Sequence, residues 1–369
     1  MREATVAVYT KVKRDLTLDI LRGYFLFVII INHLGSFPSL FEPFTGGGRL
    51  LVSAAEGFFF LSGLLVGRLR GNDIRQGRVH KANAWLVQRA TMLYIVSVSL
   101  TLGFTAAAWY FDYTPRVTLG VSTAGWLETI LKALTFQYSF GLADMLPLYA
   151  VYMLVSIGVF KWLAKGRWRS VLLVSGLVWL ASYLAPSFAR PIATYFSATS
   201  WQLLFFSGMV LGYHNDAVQG WWSSLGKRAR LQILSALSAL AVIGIGFSWV
   251  LRLVDGLYDD IKYVVEPTFD TIKLGPGRVL LFAVCIIVAY HGIKHFEAAV
   301  SRWVGWFFIP LGQQSLFVYA VHSIIVFPFI AFPVMDQFWS ASFLGAVVMA
   351  LVFLFTITYS RLPAKYRIL

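Results

Sequence analysis

The chain has 369 residues, of which 58% are hydrophobic and 13% charged, and its mean hydropathy is +0.71. These values exclude a soluble globular protein and are typical of a polytopic membrane protein. The net charge of +14 would suit a nucleic-acid-binding protein, but the basic residues lie in segments between apolar runs, as in cytoplasmic loops. The single cysteine, Cys285, lies in an apolar run, so neither a disulfide framework nor a cysteine-based metal site is expected.

Ten apolar runs of spanning length follow one another along the chain, separated by polar residues or by proline and glycine. They predict an all-α protein with about ten transmembrane helices. We expect one membrane domain over residues 1–369, with a short cytoplasmic N-terminal segment at residues 1–17. The predicted helices cover residues 20–37, 50–67, 90–110, 145–163, 170–186, 198–213, 231–251, 276–293, 309–328 and 341–360.

The distribution of charge predicts the orientation. With the N-terminus in the cytoplasm, 23 of the 31 Lys and Arg residues fall in cytoplasmic segments, so both termini are predicted to be cytoplasmic. Topology then explains the net charge, and no nucleic-acid partner is expected. Two long outer segments, 111–144 and 252–275, mix aromatic and charged residues and are expected to shape a site. The acidic residues on the outer side are Asp112, Glu128, Asp255, Asp259, Asp260, Glu266 and Asp270.

The first two predicted helices contain polar residues at membrane depth. An ionisable side chain there costs a few kcal/mol, so His33 and Glu56 are candidates for function. If the two helices form a hairpin, both side chains lie in its outer third and can face each other. A carboxylate beside an imidazole fixes the tautomer and stabilises the imidazolium, as a general base requires. The alternative is a structural hydrogen bond that joins two helices. No metal is expected, because His33 has no HxxxH or cysteine partner nearby.

Two other classes of membrane protein use similar residues. A secondary transporter builds proton relays from intramembrane His and Glu, but the sequence has no inverted repeat. A polytopic glycosyltransferase that uses a lipid-linked sugar needs an acidic base facing outward. The segment 111–144 could supply that base, but His33 and Glu56 would then have no explanation.

The chain resembles the OpgC-type glucan succinyltransferase family, a relative of the broader acyltransferase-3 membrane proteins. The resemblance begins with "RDLTLDILRGYFLFVIIINHL" from Arg14 and "SAAEGFFFLSG" from Ser53. It continues in order over nearly the whole chain. The later matching segments are "LPLYAVYMLV" from Leu146, "WQLLFFSGMVLG" from Trp201, "FDTIKLGPGRVLLFAV" from Phe269 and "PLGQQSLFVYAVHSIIV" from Pro310.

The resemblance implies a multi-pass protein of the bacterial inner membrane that transfers an acyl group from cytoplasmic acyl-CoA to an envelope glycan, such as a periplasmic glucan. Acyl-CoA is then a co-substrate, and no permanently bound cofactor is expected. O-succinyl transfer is favoured and O-acetyl transfer is next. The resemblance also implies that His33 is catalytic and that Glu56 is the acidic residue before "FFxLSG". His322 ends an "LGxxSLxxYxxH" pattern that looks more like the broader family, so the acyl group and acceptor stay open.

The donor is expected to approach from the cytoplasmic end of the first helix. Asp19 and Arg22 are predicted to form an ion pair at this mouth, and Arg14 and Arg68 to hold the phosphates of CoA. His33 lies fourteen residues beyond Asp19, or roughly 21 Å along a helix axis, which suits a pantetheine arm.

The acceptor is expected to approach from outside. His33 would remove its hydroxyl proton, Glu56 would orient the imidazole, and Asn32 or Ser62 would stabilise the oxyanion. An acyl-His intermediate stays an open alternative, and nothing in the sequence indicates an oligomeric state. Trp201 is expected to stack on a sugar ring, and Lys273 or Arg278 to bind the distal carboxylate of a succinyl group. The predicted substrate-binding residues are Asp144, Trp201, Gln202, Lys273, Arg278 and His322.

Overall fold

A computed structural model of the protein describes residues 14–111, 118–119, 125–185, 192, 194–331 and 337–363. The described residues are almost entirely helical, which confirms the all-α prediction. Most of the predicted N-terminal segment and Asp112 lie outside the described residues. The helices are α1 (Leu16–Leu34), α2 (Glu42–Thr45), α3 (Ala54–Arg75), α4 (Val79–Tyr110), α5 (Trp126–Leu134), α6 (Met145–Ala164), α7 (Trp168–Leu184), α8 (Ala198–Tyr213), α9 (Asn215–Ser224), α10 (Lys227–Leu253), α11 (Leu257–Thr268), α12 (Pro276–His295), α13 (Glu297–Trp303), α14 (Gly305–Gln313), α15 (Ser315–Ala331) and α16 (Phe338–Arg361).

Six helices of the described part of the chain are long and apolar enough to cross a membrane, namely α1, α4, α6, α10, α12 and α16. The pair α14 and α15 also passes this test but bends by 96° between its two halves, so it is a broken span or a re-entrant segment. The presence of several such helices indicates a membrane protein. All ten predicted runs coincide with helices, but α3, α7 and α8 are too short or too polar to count as spans. Ten spans and cytoplasmic termini therefore stay predictions.

Local sequence signals set both ends of α1. Asp15 caps its N-terminus, where the Asp15 side chain accepts a hydrogen bond from the Thr17 N–H at 3.2 Å. Gly35 ends the helix in the left-handed region, at a φ of 62°, which costs glycine little. His33 thus lies in the last turn of α1, two residues before Gly35, where the chain leaves the helix.

Helices α3 and α8 pack closely because each carries two glycines one turn apart. Each of the four glycines faces a main-chain carbonyl of the other helix, and an added Cβ would lie within 2.2 Å of that oxygen. Small residues spaced in this way let helices approach closely inside a membrane. The four residues are Gly63 and Gly67 on α3, and Gly208 and Gly212 on α8.

A second glycine contact joins α1 to the broken pair α14 and α15. A Cβ at Gly23 would meet the Phe308 carbonyl oxygen at 2.0 Å, and one at Gly312 would meet the Asp19 carbonyl oxygen at 1.9 Å. Because α15 begins directly after α14, this contact sets α15 beside α1. His322, two turns into α15, is thereby brought to the end of α1 that carries His33.

The two long segments predicted on the outer side have structure of their own. The first contains α5 and a short antiparallel ribbon that pairs β1 (Thr118–Leu119) with β2 (Ser139–Phe140). The second contains α11. The first segment leads directly into α6, which Asp144 precedes, and the second leads into α12, which carries Arg278.

Candidate active site

Two histidines from distant parts of the chain meet inside the helical bundle. Nδ1 of His33 lies 3.0 Å from Nε2 of His322, and their rings stack at a centroid distance of 5.2 Å. His322 is fully buried, whereas His33 is partly exposed. A hydrogen bond between two imidazoles needs one ring to donate and the other to accept. Nε2 of His33 takes no part in this contact.

The surroundings of His322 favour one direction for this hydrogen bond. Nδ1 of His322 is buried and makes no hydrogen bond of standard geometry. The carbonyl groups of Val318 and Tyr319, one helical turn earlier, nevertheless lie close enough to act on the ring electrostatically. A proton on Nδ1 of His322 would leave its Nε2 to accept the Nδ1–H of His33. This arrangement orients His33 and leaves its Nε2 with a lone pair, as a general base requires.

Glu56 does not orient His33, and the predicted pairing of these two residues is wrong. The side chain of Glu56 accepts hydrogen bonds from the N–H and the hydroxyl of Ser53, which makes a capping box at the start of α3. Its other carboxylate oxygen accepts a hydrogen bond from Arg278 on α12. The sequence Ser-x-x-Glu at a helix N-terminus directs the carboxylate back toward its own helix start. Local capping and a cationic partner therefore outweigh the hairpin contact.

Arg278 is fully engaged by the protein. Besides Glu56, it donates from Nε to the Phe269 carbonyl at 3.0 Å and from Nη2 to the Thr271 hydroxyl at 2.7 Å. Only 5% of its side chain is exposed. The structure gives no support to the expectation that Arg278 binds a substrate carboxylate, because the guanidinium already has three protein acceptors and little access to solvent.

A cavity of about 310 Å³ lies between α1, α3, α4, α6 and the junction of α14 with α15. Its wall combines apolar side chains with a set of polar and cationic ones. This mixture suits a ligand that has a narrow apolar arm and polar groups along it. The polar residues of the wall that bear on the argument are Arg22, Ser62, Arg89, Tyr149 and Tyr319.

Arg22 reaches this cavity, but it does not form the predicted ion pair with Asp19. The carboxylate of Asp19 accepts a hydrogen bond from Nε of Arg14 at 2.6 Å, while Arg22 donates from Nη2 to the Ser315 hydroxyl. Nε of Arg22 is buried without a hydrogen-bond partner. Arg22 thus keeps donor capacity at the cavity.

Arg68, the fourth predicted donor-side residue, lies near the start of α1. Its Nη1 lies 3.6 Å from the carboxylate of Asp15, and Arg68 is not part of the cavity wall. The four predicted donor-side residues therefore divide into Arg22, which faces the cavity, and three that form ion pairs near the start of α1.

Tyr319 joins the cavity to the histidine pair. It lines the cavity, and its ring meets that of His322 edge to face at a centroid distance of 4.9 Å. Because residues three apart share one face of a helix, the pattern Tyr-x-x-His places both rings on the same side of α15. Cavity, Tyr319, His322 and His33 thus form one continuous series of contacts.

The two predicted oxyanion donors differ in position. Ser62 lines the cavity and lies beside the hydroxyl of Tyr149. Asn32 is not part of the cavity wall, and its side-chain oxygen is buried without a hydrogen-bond partner. Successive helical residues point about 100° apart, so Asn32 and His33 do not face the same way.

Trp201 and Gln202 are engaged by the protein itself, so the structure gives no support to their predicted sugar-binding role, which stays a prediction. Trp201 is fully buried and donates from Nε1 to the carbonyl of Thr271 at 3.0 Å. Gln202 is buried too, and it exchanges hydrogen bonds with the hydroxyl and the carbonyl of Ser175. An aromatic ring with no exposed face cannot stack on a sugar.

Asp144 and Lys273 precede α6 and α12, in the two segments predicted to be outer. Asp144 precedes α6 and accepts a hydrogen bond from the Tyr195 N–H at 3.2 Å. Burial raises the pKa of Asp144 to about 7, although backbone N–H groups, including that of Met145, partly offset this rise. Lys273 has a partly exposed side chain, and its backbone N–H donates to Asp270 at 2.6 Å. Of the predicted acceptor-side residues, only Lys273 keeps an accessible cationic group.

Sequence reasoning missed Tyr149 and Tyr319 and did not pair His322 with His33. Both tyrosines lie in segments already singled out, "LPLYAVYMLV" and "SLFVYAVH", and the spacing of Tyr319 and His322 is a usable signal. The pairing of the histidines has no local signal, because 289 residues separate them. Among the described residues, no three His, Cys, Asp or Glu side chains are placed to hold a metal ion.

Comparison with known proteins gives a single finding. No curated protein and no solved structure matches the chain. A family model described as OpgC protein matches residues 14–366, which is nearly the whole length. The chain therefore belongs to the OpgC protein family, which indicates a glucan-modifying transferase of the acyltransferase type.

Proposed function

We propose that the protein transfers an acyl group from cytoplasmic acyl-CoA to a hydroxyl group of an extracytoplasmic glycan, such as a periplasmic glucan, in the bacterial inner membrane. Succinyl is the favoured acyl group and acetyl the next. The observation that carries the proposal is the His33–His322 hydrogen bond beside a cavity that contains Arg22 and Arg89. A base next to an arginine-bearing cavity suits attack on an acyl donor that carries phosphates.

The cavity supports a donor that approaches from the arginine-rich end of the bundle. Arg22, Gln313 and Ser315 lie on the first half of α1 and at the junction of α14 with α15, away from the end of α1 that holds His33. Arg14 has a side chain that is 60% exposed at this end, which suits contact with the CoA phosphates. The thioester would then reach the histidine pair past Tyr319.

His33 acts as the general base in the proposed reaction. Its Nε2 takes the proton of the acceptor hydroxyl while the hydroxyl oxygen attacks the thioester carbonyl carbon. His322 accepts the Nδ1–H of His33 and keeps the ring in place. The tetrahedral intermediate then breaks its C–S bond, and the sulfur takes the proton from His33 to leave as the free thiol of CoA. The products are an acylated glycan and CoA.

The test compares purified protein with its His33→Ala variant, using succinyl-CoA or acetyl-CoA and a glucan acceptor. We expect CoA release and a matching mass increase of the glucan with the wild type. Loss of the base should lower the rate by about 10²–10⁴-fold. Thermal unfolding should show that His33→Ala is folded, and the thioester should raise the melting temperature of both proteins through binding to the folded state.

His295→Ala is the matched control, because His295 is exposed at the end of α12 and does not line the cavity. We expect it to retain wild-type activity. If neither thioester shifts the melting temperature and no CoA is released, acyl transfer is the wrong chemistry. The intramembrane histidine pair would then favour the proton relay of a transporter.

A further inference from the structure

Two buried tyrosines face the cavity with unsatisfied hydroxyl groups. Tyr149 on α6 and Tyr319 on α15 both line it, and their side chains are almost completely buried. Neither hydroxyl makes a hydrogen bond of standard geometry, although Ser62 lies beside one and the Met145 N–H beside the other. A buried hydroxyl without a partner costs stability, and phenylalanine would fill the same space without this cost. The two hydroxyls therefore need an explanation.

Their position supplies one. The two tyrosines lie close enough to interact electrostatically with each other, and Tyr149 interacts in the same way with Arg22. Tyr319 also contacts the ring of His322, which holds His33. The unsatisfied donors thus lie between the cationic part of the cavity wall and the histidine pair, along the route proposed for the thioester.

We propose that the hydroxyls of Tyr149 and Tyr319 form the oxyanion site of the enzyme, where they donate hydrogen bonds to the carbonyl oxygen of the acyl donor as it becomes negatively charged. This inference rests on the proposed acyl transfer and names the residues that stabilise its intermediate. It replaces Asn32, which lies outside the cavity wall, and it leaves Ser62 as a neighbour that positions Tyr149.

Hydrogen-bond donors at this point would stabilise the charge that develops in the reaction. When the acceptor oxygen attacks the thioester carbon, the C=O π electrons move onto the carbonyl oxygen and leave it with a full negative charge. Preorganised O–H groups in a site without water stabilise this charge more than the neutral ground state. Both tyrosines keep their protons throughout. When the intermediate collapses, the electron pair on the oxyanion re-forms the C=O double bond, and the electrons of the C–S bond leave with the sulfur, which takes the proton from His33. Arg22 adds a positive charge nearby without transferring a proton.

The test uses Tyr149→Phe, Tyr319→Phe and the double variant, with steady-state kinetics on the intact protein in detergent or nanodiscs. Removing one oxyanion donor lowers kcat by about 10²–10³-fold in comparable sites. We expect a fall of this size in kcat for each single variant, with KM for the thioester changed less than about threefold. The melting temperature should stay the same or rise, because the substitution removes a buried group without a partner.

Tyr152→Phe is the matched control. Tyr152 is also buried on α6, but its hydroxyl donates to the Ala198 carbonyl at 2.7 Å and the residue does not line the cavity. This variant should melt at a lower temperature and keep wild-type kcat. A purely structural role for Tyr149 and Tyr319 predicts the same pattern for them as for Tyr152.

Two results would overturn the inference, and they are distinguishable. If the wild type is active and His33→Ala is inactive, but both Tyr→Phe variants keep kcat within about threefold, the oxyanion site lies elsewhere and the proposed function stands. If the wild type releases no CoA from either thioester, the proposed function fails and this inference fails with it. An unchanged melting-temperature shift on thioester binding would show that the variants keep a folded donor site.

Discussion

Two buried polar clusters in this bundle differ in how completely their hydrogen bonds are satisfied. In the first, Glu56 and Arg278 join α3 to α12, and each charged group is engaged by Ser53, Phe269, Thr271 or its partner. In the second, His33 and His322 join α1 to α15. Around it, Nδ1 of His322 and the hydroxyls of Tyr149 and Tyr319 make no hydrogen bond of standard geometry.

The difference distinguishes a structural cluster from a functional one. A buried ion pair with every group satisfied fixes the packing of two helices and has no capacity left for a ligand. A cluster that keeps unsatisfied donors beside a cavity loses stability in the empty state and gains it when a ligand supplies the acceptor. Both clusters contain residues that sequence reasoning placed in the site, but only the second adjoins the cavity.

The largest loss of stability should come from breaking the cluster of Glu56 and Arg278. Arg278→Met leaves the Glu56 carboxylate buried without its cation, which typically costs about 3–5 kcal/mol. We expect a large fall in the melting temperature of the purified protein. The double variant Glu56→Gln with Arg278→Met should recover more than half of this loss, because the buried charge is removed and Gln still completes the capping box with Ser53.

The double variant also tests the assignment of Glu56. If the pair is only structural, the folded double variant transfers acyl groups at a rate within a few-fold of the wild type. A rate as low as that of His33→Ala would return Glu56 to the catalytic machinery and would contradict the distinction between the two clusters.

The second prediction concerns how stability depends on pH through Asp144. The groups that face its carboxyl are the Tyr195 N–H and the ionisable hydroxyl of Tyr319. Burial raises the pKa of Asp144 to about 7, so between pH 4 and 7 the folded protein holds a proton that the unfolded chain has lost. Stability should therefore fall as pH rises through this window, by up to about 4 kcal/mol at 1.36 kcal/mol per unit, and level off above it.

Asp144→Asn mimics the protonated carboxyl and should remove this slope. We expect its melting temperature to approach that of the wild type near pH 4 and to exceed it increasingly as pH rises to 8. Parallel curves for the two proteins over this range would show that Asp144 is ionised in the folded state and that its burial is offset by the backbone donors at the start of α6.

The smallest effect should come from Trp201, which the sequence placed at the sugar and the structure places in the core. Trp201→Phe removes the hydrogen bonds from Nε1 to the carbonyls of Thr271 and Ile272. Leaving those acceptors unsatisfied should lower stability by about 1–3 kcal/mol. KM for the glucan should not change. A specific rise in this KM without loss of stability would mean that the ring does contact the acceptor.

Helix positions could be predicted because hydropathy acts locally. Nine of the ten predicted runs each coincide with one helix, and the run 309–328 coincides with the broken pair α14 and α15. The break between α14 and α15 was not predicted, because residues 309–328 are apolar on both sides of it and resemble one continuous span. The contact of Gly312 with the Asp19 carbonyl accompanies that break, and such a contact is a property of two helices rather than one.

The sequence by itself determined a helical membrane protein, the family, and His33 as a residue that needs a functional explanation. It did so because apolar length, charge asymmetry and an ionisable group at membrane depth are properties of single segments. Only the tertiary structure decided the partners: His322 rather than Glu56 for His33, and Glu56 rather than a substrate carboxylate for Arg278. Partner choice depends on which helix faces lie together. For the histidine pair, the glycine contacts between α1 and α14 set α15 beside α1.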